Sequence, residues 1–441
     1  MMLAAWRIPA DECLPQLADV ASEEAMSALF AAHLAPGWSL RSCRIKDARY
    51  YPGYTCLLAY NLKCTSPAGE EAAVTLYGRA FGTEPVPEAF RARRELATAV
   101  GPLPSFLPPL ALGLWTFPDD PGMQGLGEVW RAGGGLFERP DLLHPAPWGT
   151  LRPDIDTTLV SYVPSKRCIL RYDTQDEVTP TTFFGKVYAA EDAAALYGTM
   201  QELWSYARLE APELRLGRPL GHDARLNAVW QASPGGEPLL EVLEEADLPA
   251  VFRRTAAALA ALHRGDMRPA RRWCLREETD KLWRSRAALL RFYPMLEHDI
   301  EAVLGRLIAT SPPEAENLVP VHGDFHCNQV LVGDGHVAII DFDLFGCGDP
   351  LHDVGRFLSR FRAYARGRLS DLDAASAEQS FLSTYEILVP WSVDRRRLAW
   401  MMATLLVNRQ ALKPVKKLSG GGPEPAAELL AAAAAIVEGG I

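Results

Sequence analysis

The 441-residue sequence predicts an α+β protein of two lobes, with antiparallel strands in its first half and helices in its second. Two observations carry this. A strand–strand–strand–helix pattern occurs twice before residue 210. From Asp247 onward apolar residues recur at helical spacing, interrupted by one short hairpin after residue 330.

In chain order, 43–60 turns β-like and ends in an alternating strand. After a Pro/Gly/Glu turn at 67–71, residues 73–81 read as its partner, and a helix is predicted over 86–100. The order then returns: strands within 161–172, a strand over 183–188, and a helix over 190–207. Tyr50, Pro52, Cys56, Leu58 and Tyr60 align with Tyr162, Pro164, Cys168, Leu170 and Tyr172, and Tyr77-Gly78-Arg79 with Phe184-Gly185-Lys186, the pattern of an internal duplication. Residues 216–232 hold two more strand-like runs, and the Pro/Gly-rich break at 233–238 reads as a hinge. Helices follow from Asp247, with Pro249 in the first turn, and over 277–291, 297–309, 349–365, 375–388 and 395–412. A loop at 419–423 and an Ala-rich last helix to Ile436 close the chain. This divides it into 1–145, 146–236 and 237–441.

Composition narrows the function. With 48% apolar and 23% charged residues the chain is ordinary globular material, and a net charge of -10 argues against nucleic acid or an anionic membrane as partner. The eight cysteines form no C-x-x-C pair and fit free thiols in a reducing cytoplasm. Residues 1–17 carry acidic residues and prolines where a signal peptide needs a basic then apolar run, so a cytoplasmic location is expected. Neither G-x-G-x-x-G nor G-x-x-x-x-G-K-[ST] occurs.

Chemistry concentrates in 319–357. Val330-Leu331-Val332 and 337–340 flank Gly333-Asp334-Gly335, so a hairpin folding there brings Gln329 beside Asp341, with Asp324 just upstream. A lone carboxylate near a paired amide and carboxylate is a general base next to a hard-cation site. Mg²⁺ takes few protein oxygens and completes its shell from water and substrate phosphates.

His322-Gly323-Asp324, Ile340-Asp341 and Gly348-Asp349-Pro350 with Asp353 resemble the aminoglycoside phosphotransferase and choline kinase family, a branch of the protein-kinase-like fold. The resemblance implies Asp324 as catalytic residue, and Gln329 and Asp341 as Mg²⁺ ligands. Gln329 stands where the family has Asn; keeping the following strand in register selects it over Asn328. His322, Asp349 and Asp353 are implied as structural supports, Asp349 also as a helix N-cap. For ATP, the resemblance implies Lys186 held by Glu202, the turn Ser165-Lys166-Arg167 over the phosphates, and Trp230 and Gln231 near the adenine. His326 and Asp343 are possible substrate contacts, and His263 is a core-edge histidine. The first copy, with Arg79 and Glu95 at the same separation, is then a degenerate N-lobe-like cap. The pattern H-G-D-x-H-x-x-Q is similar to maltokinases and bacterial amino-sugar kinases, so a sugar or amino-sugar hydroxyl is the implied acceptor. Alternatives are an aminoglycoside, choline-like or amino-acid acceptor, a nucleotide-binding pseudoenzyme, and metal-dependent hydrolysis.

Overall fold

The structure, a computed structural model, describes residues 8, 10–92, 95–131, 155–174, 182–418 and 423–439. The boundary expected at 145/146 and residues 419–422 of the loop expected over 419–423 lie outside them. The α+β, two-lobed organisation is the one observed: two antiparallel sheets come first and a helical lobe follows.

The first sheet contains β1 (Ser39–Tyr51), β2 (Thr55–Thr65), β3 (Glu71–Phe81), β4 (Phe106–Leu107) and β5 (Leu112–Trp115), in the order β1-β2-β3-β5-β4. The second contains β6 (Ile155–Val163), β7 (Arg167–Thr174), β8 (Thr182–Tyr188), β9 (Pro219–Asp223) and β10 (Ala228–Ala232), in the order β9-β10-β8-β7-β6. The duplication holds at the level of register. Tyr50 pairs with Cys56 as Tyr162 pairs with Cys168, and Arg79 lies opposite Leu57 as Lys186 lies opposite Ile169. Because side chains alternate along a strand, equal register puts equivalent residues on equivalent faces.

The repeat reaches further upstream than the aligned strands. Asp120 Oδ2 accepts from the Tyr162 hydroxyl (2.6 Å) and the Ser165 amide (2.6 Å), and Asp120 Oδ1 accepts from the Gly122 amide (2.8 Å). Asp11 does the same in the first copy, accepting from the Tyr50 hydroxyl (2.5 Å), the Gly53 amide (2.7 Å) and the Cys13 amide (3.0 Å). Gly53 and Ser165 both have positive φ, 75° and 53°, which a turn closed on a carboxylate requires. Thus D-x-x-L-x-x-L at Asp11 and D-x-x-M-x-x-L at Asp120 open the two units. Tyr162 also joins them: its hydroxyl accepts from Trp115 Nε1 (2.7 Å) and its ring meets Tyr77 edge-on at 4.7 Å.

Two expectations for the first copy fail. Residues 86–100 do not form one helix; a five-residue helix, Glu88–Ala92, is followed by the strand Glu95–Leu96, because Pro87 starts a turn and Gly101-Pro102 ends the segment. No ion pair joins Arg79 to Glu95. Arg79 stacks over Phe81 at 5.0 Å instead.

In the second unit Asp192 caps the helix Ala193–Leu209, accepting from the amides of Ala194 (2.9 Å) and Ala195 (3.1 Å). The hinge residues Glu237–Pro238 add a short strand to the hairpin of β11 (Val330–Gly333) and β12 (His336–Ile339), pairing with Val332 and Leu331. The expected helices appear as Leu248–Arg264, Leu275–Phe292, Glu297–Ala309, Pro350–Ala365 and Asp371–Leu388. The next, Arg395–Leu406, passes into a π-helical turn at Val407–Ala411. The last helix, Glu424–Gly439, buries Ala426, Leu430, Ala433 and Ile436 against the lobe. One hydrophobic core runs from the first sheet through the helical lobe, while the second sheet packs its own core around Leu170, Phe183 and Trp230. Among the described residues no helix is long and apolar enough to cross a membrane.

The latch at Asp120 is buried and carries charge-assisted hydrogen bonds, each contributing roughly 1.5–3 kcal/mol net. Asp120→Ala should lower unfolding free energy by about 2–4 kcal/mol, read as a reduced urea midpoint. An unchanged midpoint would contradict a structural latch.

Candidate active site

The loop carrying Asp324 is fixed by Asp353, wholly buried on the helix Pro350–Ala365. Its carboxylate accepts from the amides of His322 (2.6 Å) and Gly323 (3.0 Å) and contacts His263 Nε2 at 3.2 Å. His263 in turn meets the Tyr385 hydroxyl at 2.7 Å, so the core-edge histidine of the sequence is a member of this buried network. Burial opposes the Asp353 charge, yet its bonds to His263 and the nearby imidazoles hold the carboxyl well below its ordinary range. Gly323 has φ +78°, and a Cβ there would come within 2.4 Å of the Leu344 carbonyl, so the turn admits glycine alone without rearrangement.

His322 joins two parts of the site. Its Nδ1 accepts from the Asp324 amide (3.3 Å), so Nε2 carries the proton and donates to the Ile340 carbonyl (2.9 Å). Burial pushes this imidazole toward the neutral form that the two bonds need. Asp349 accepts from the Leu351 amide (2.9 Å), capping its helix, and from Arg397 Nε (2.6 Å).

The hairpin brings Gln329 and Asp341 together. The ladder runs from Val330 opposite Ile339 to Gly333 opposite His336, which makes Asp334-Gly335 the two-residue turn. Gln329 Nε2 lies 3.2 Å from Asp341 Oδ2. Asp341 itself has φ 70°, ψ 59°, a left-handed conformation uncommon for residues other than glycine.

Lys186 reaches this carboxylate across the interlobe cleft. Its Nζ lies 2.5 Å from Asp341 Oδ1 and 2.9 Å from Asp343 Oδ1. Arg167 Nη1 adds contacts of 3.4 and 3.3 Å to the same two side chains, and the Tyr188 hydroxyl donates to Asp343 (2.9 Å). Burial disfavours the Lys186 ammonium, but Asp343 and Asp341 outweigh it and raise its pKa. Asp341 is likewise held below its usual range against burial, by Lys186 and Arg167. One amide and two carboxylates converging at cationic side chains suit a divalent ion that takes its other ligands from water and phosphate. Among the described residues no group of three or more His, Cys, Asp or Glu is arranged for a metal, which such a sparse site does not need.

Several placements differ from the sequence expectation. Lys186 makes no ion pair with Glu202, which is exposed; Leu196, Met200 and Leu203 are the helix residues lining the cleft, and Glu202 is turned about 100° from Leu203. Trp230 is fully buried in the second sheet's core, opposite Gly185, where a Cβ would come within 2.7 Å of its indole nitrogen. Gln231, on the other face of β10, lines the cleft. In the phosphate-covering turn Ser165 is engaged with Asp120, Lys166 is exposed, and Arg167 alone reaches the cluster. Asp343 sits with Lys186, apart from the residues beside Asp324. His326 Nε2 stands 3.9 Å from Asp324 Oδ2, and Arg356, unremarked in the sequence, forms an ion pair with Asp324.

Residues 173–388 match the phosphotransferase enzyme family, and that segment belongs to it, as the motifs implied. No curated protein matches the chain. Among solved structures, the choline kinase of Cryptosporidium parvum Iowa II is 11% identical, with a TM-score of 0.48 over 70% of this chain and 96% of that one. The amicoumacin kinase hAmiN, solved with AMP-PNP, Ca²⁺ and Ami, is 14% identical, with a TM-score of 0.47 over 71% and 96%. A thermostable mutant of aminoglycoside phosphotransferase APH(4)-Ia is 18% identical, with a TM-score of 0.43 over 64% and 94%. These are distant similarities, and the chemistry of this site stands on its own side chains.

His326 supplies a pH test. Burial first, then Arg360, lowers its pKa from 6.5 to about 3. A folded-state pKa below the unfolded value means stability is fully present above about pH 6.5 and declines as pH falls toward 3. The melting temperature should be level between about pH 8 and 7 and fall below 6.5. His326→Asn, which keeps the Asn328 amide capped, should flatten that fall between about pH 6 and 4.5. An equal slope in both proteins would contradict the assignment.

Proposed function

We propose that this protein, a phosphotransferase by the family its segment 173–388 matches, moves the γ-phosphoryl group of ATP to a hydroxyl of a small sugar-like acceptor. The observation that carries the reading is the convergence of Lys186, Gln329 and Asp341 on one point of the cleft, with His322 tying that strand end to the Asp324 loop. Lys186 and Arg167 would bind nucleotide phosphates; Asp341 and Gln329, with Asp343 near, would hold Mg²⁺. The ion, when bound, neutralises charge on the β- and γ-phosphates and orients them.

Asp324 orients the acceptor hydroxyl and accepts its proton. The acceptor oxygen forms a bond to γ-phosphorus as the bridging bond to the β-phosphate breaks, so ADP leaves with that electron pair. Little covalent help is required; alignment and charge neutralisation do most of the work. The phosphate cluster lies between the lobes, so closure about the 233–238 hinge, where Gly235 and Gly236 both have positive φ, excludes water from the transfer. A maltokinase-like motif at Asp324, His326 and Gln329 supports a sugar or amino-sugar acceptor.

The test is transfer of labelled phosphate from ATP with Mg²⁺ to a panel of sugars, amino-sugars, aminoglycosides, choline and hydroxy amino acids. Wild type should phosphorylate a member of the panel, and Asp324→Ala should lose about 10²–10⁴-fold in rate while keeping nucleotide affinity. An active Asp324→Ala would remove this residue from the mechanism. Nucleotide bound with no transfer to any acceptor would favour the pseudoenzyme.

A further inference from the structure

Beside the catalytic loop a cavity of about 270 Å³ is lined by His326, Arg356, Arg360, Arg409, Gln410 and Lys413. Four of these are cations, and among the described residues that line it none is acidic. Arg356 anchors the cluster. It projects from the helix Pro350–Ala365, is 9% exposed, and pairs with Asp324 through Nη2, while its Nε and Nη1 have no partner. Buried guanidinium N–H groups destabilise a fold unless something accepts them. Arg360, one turn further along, leaves its buried Nε unpartnered as well.

Arg409 and Lys413 come from the opposite wall, and their placement is built. Arg409 lies in the π-helical turn Val407–Ala411, a distortion that tends to occur at functional sites. That turn is pinned by buried Asn408, whose Nδ2 donates to the Glu278 carbonyl (3.0 Å) and whose Oδ1 accepts from Ser285 Oγ (3.1 Å). Lys413 opens the short helix that follows, Lys413–Lys417. Burial, with Arg409 and Arg360 nearby, pushes the Arg356 guanidinium down to about 9. Burial and Arg360 also lower Lys413. Asp324 beside Arg356 and Glu278, 3.8 Å from Arg409, offset part of the repulsion among these cations, and an anion in the cavity relieves the rest.

We infer that the acceptor carries an anionic group, a phosphate or a carboxylate, held by Arg356, Arg360, Arg409 and Lys413 while its hydroxyl faces Asp324. This rests on the transfer reading above and narrows it. Arg356 bridges the two functions: its Nη2 stays on the base while Nε and Nη1 face the anion, which sets the distance from anion to reacting hydroxyl. Bond changes are those already given, the acceptor oxygen bonding to γ-phosphorus, ADP departing, and the proton passing to Asp324. A polycationic antibiotic or a quaternary amine is repelled by the same four residues.

The test uses the full chain and four compounds on one skeleton: glucose 6-phosphate, glucuronate, glucose and glucosamine. In calorimetric titrations without nucleotide, at least one of the two anions should bind about tenfold or more tighter than glucose and glucosamine, the worth of a charge-assisted contact or two. Strength at glucose 6-phosphate over glucuronate, or the reverse, identifies the group. The double variant Arg409→Gln/Lys413→Gln, altered at exposed positions, should weaken that binding about tenfold or more, while Arg167→Gln, in the nucleotide cluster, should change it less than about twofold. Equal affinity for all four compounds, preference for glucosamine, or loss in Arg167→Gln but not in the double variant would overturn the inference. Phosphate transfer from Mg·ATP separates the two readings. Transfer to glucose or glucosamine at least as efficient as to either anion overturns the anionic acceptor and leaves transfer standing. Tight anion binding with no transfer overturns the transfer reading and the acceptor role with it.

Discussion

A single buried carboxylate organises the catalytic half. Asp353 has no solvent and must satisfy its charge internally; it does so with two consecutive amides of the His322–Gly323 turn and with His263. An uncompensated buried charge is strongly destabilising, so the loop has one conformation in which the core is satisfied. That conformation fixes where Asp324 stands. His322 then passes the constraint to Ile340, the residue before Asp341. Asp324 and Asp341 are thereby set relative to one another by the core, before any ligand arrives.

The N-terminal half shows the complementary use of a carboxylate. Asp11 and Asp120 close equivalent turns with the same donors, a tyrosine hydroxyl and two amides, and the register of the strands beyond them is equal. The copies diverge where chemistry differs. Lys186 in the second lies across the cleft from Asp341; Arg79 in the first stacks over Phe81, turned toward its own unit. The first sheet shares a core with the helical lobe, while the second sheet keeps its own; its unit meets the lobe through the helix Ala193–Leu209, whose Leu203 and Ala207 join the large core, and through the hinge strand and polar cluster.

What the sequence revealed and what it hid follow from range and periodicity. The hairpin pairing Gln329 with Asp341 was legible because turn residues and two apolar runs lie within a dozen positions. Helix-start signals at Asp247 and Asp349 were legible for the same reason. Local rules would also have caught two misplacements: Trp230 and Gln231 are neighbours on a strand, so both cannot face one ligand, and Glu202 precedes the inward Leu203 on a helix. The repeated D-x-x-[LM]-x-x-L at Asp11 and Asp120 was present but needed the structure to give it meaning. Arg356, Arg409 and Lys413 had no local signal, since one sits inside a core-facing helix and the others lie in or just after a π-turn that no pattern of apolar residues announces. Their gathering beside the Asp324 loop is purely tertiary.

The central claim is that Asp341 and Gln329 share one divalent ion with nucleotide phosphates held by Lys186. Titrating ATP into the full chain with and without Mg²⁺, for wild type and Asp341→Asn, tests it most directly. The account predicts that Mg²⁺ strengthens ATP binding about tenfold or more in wild type and that Asp341→Asn removes most of that gain. ATP affinity indifferent to Mg²⁺ in wild type, or an equal gain in the variant, would contradict it.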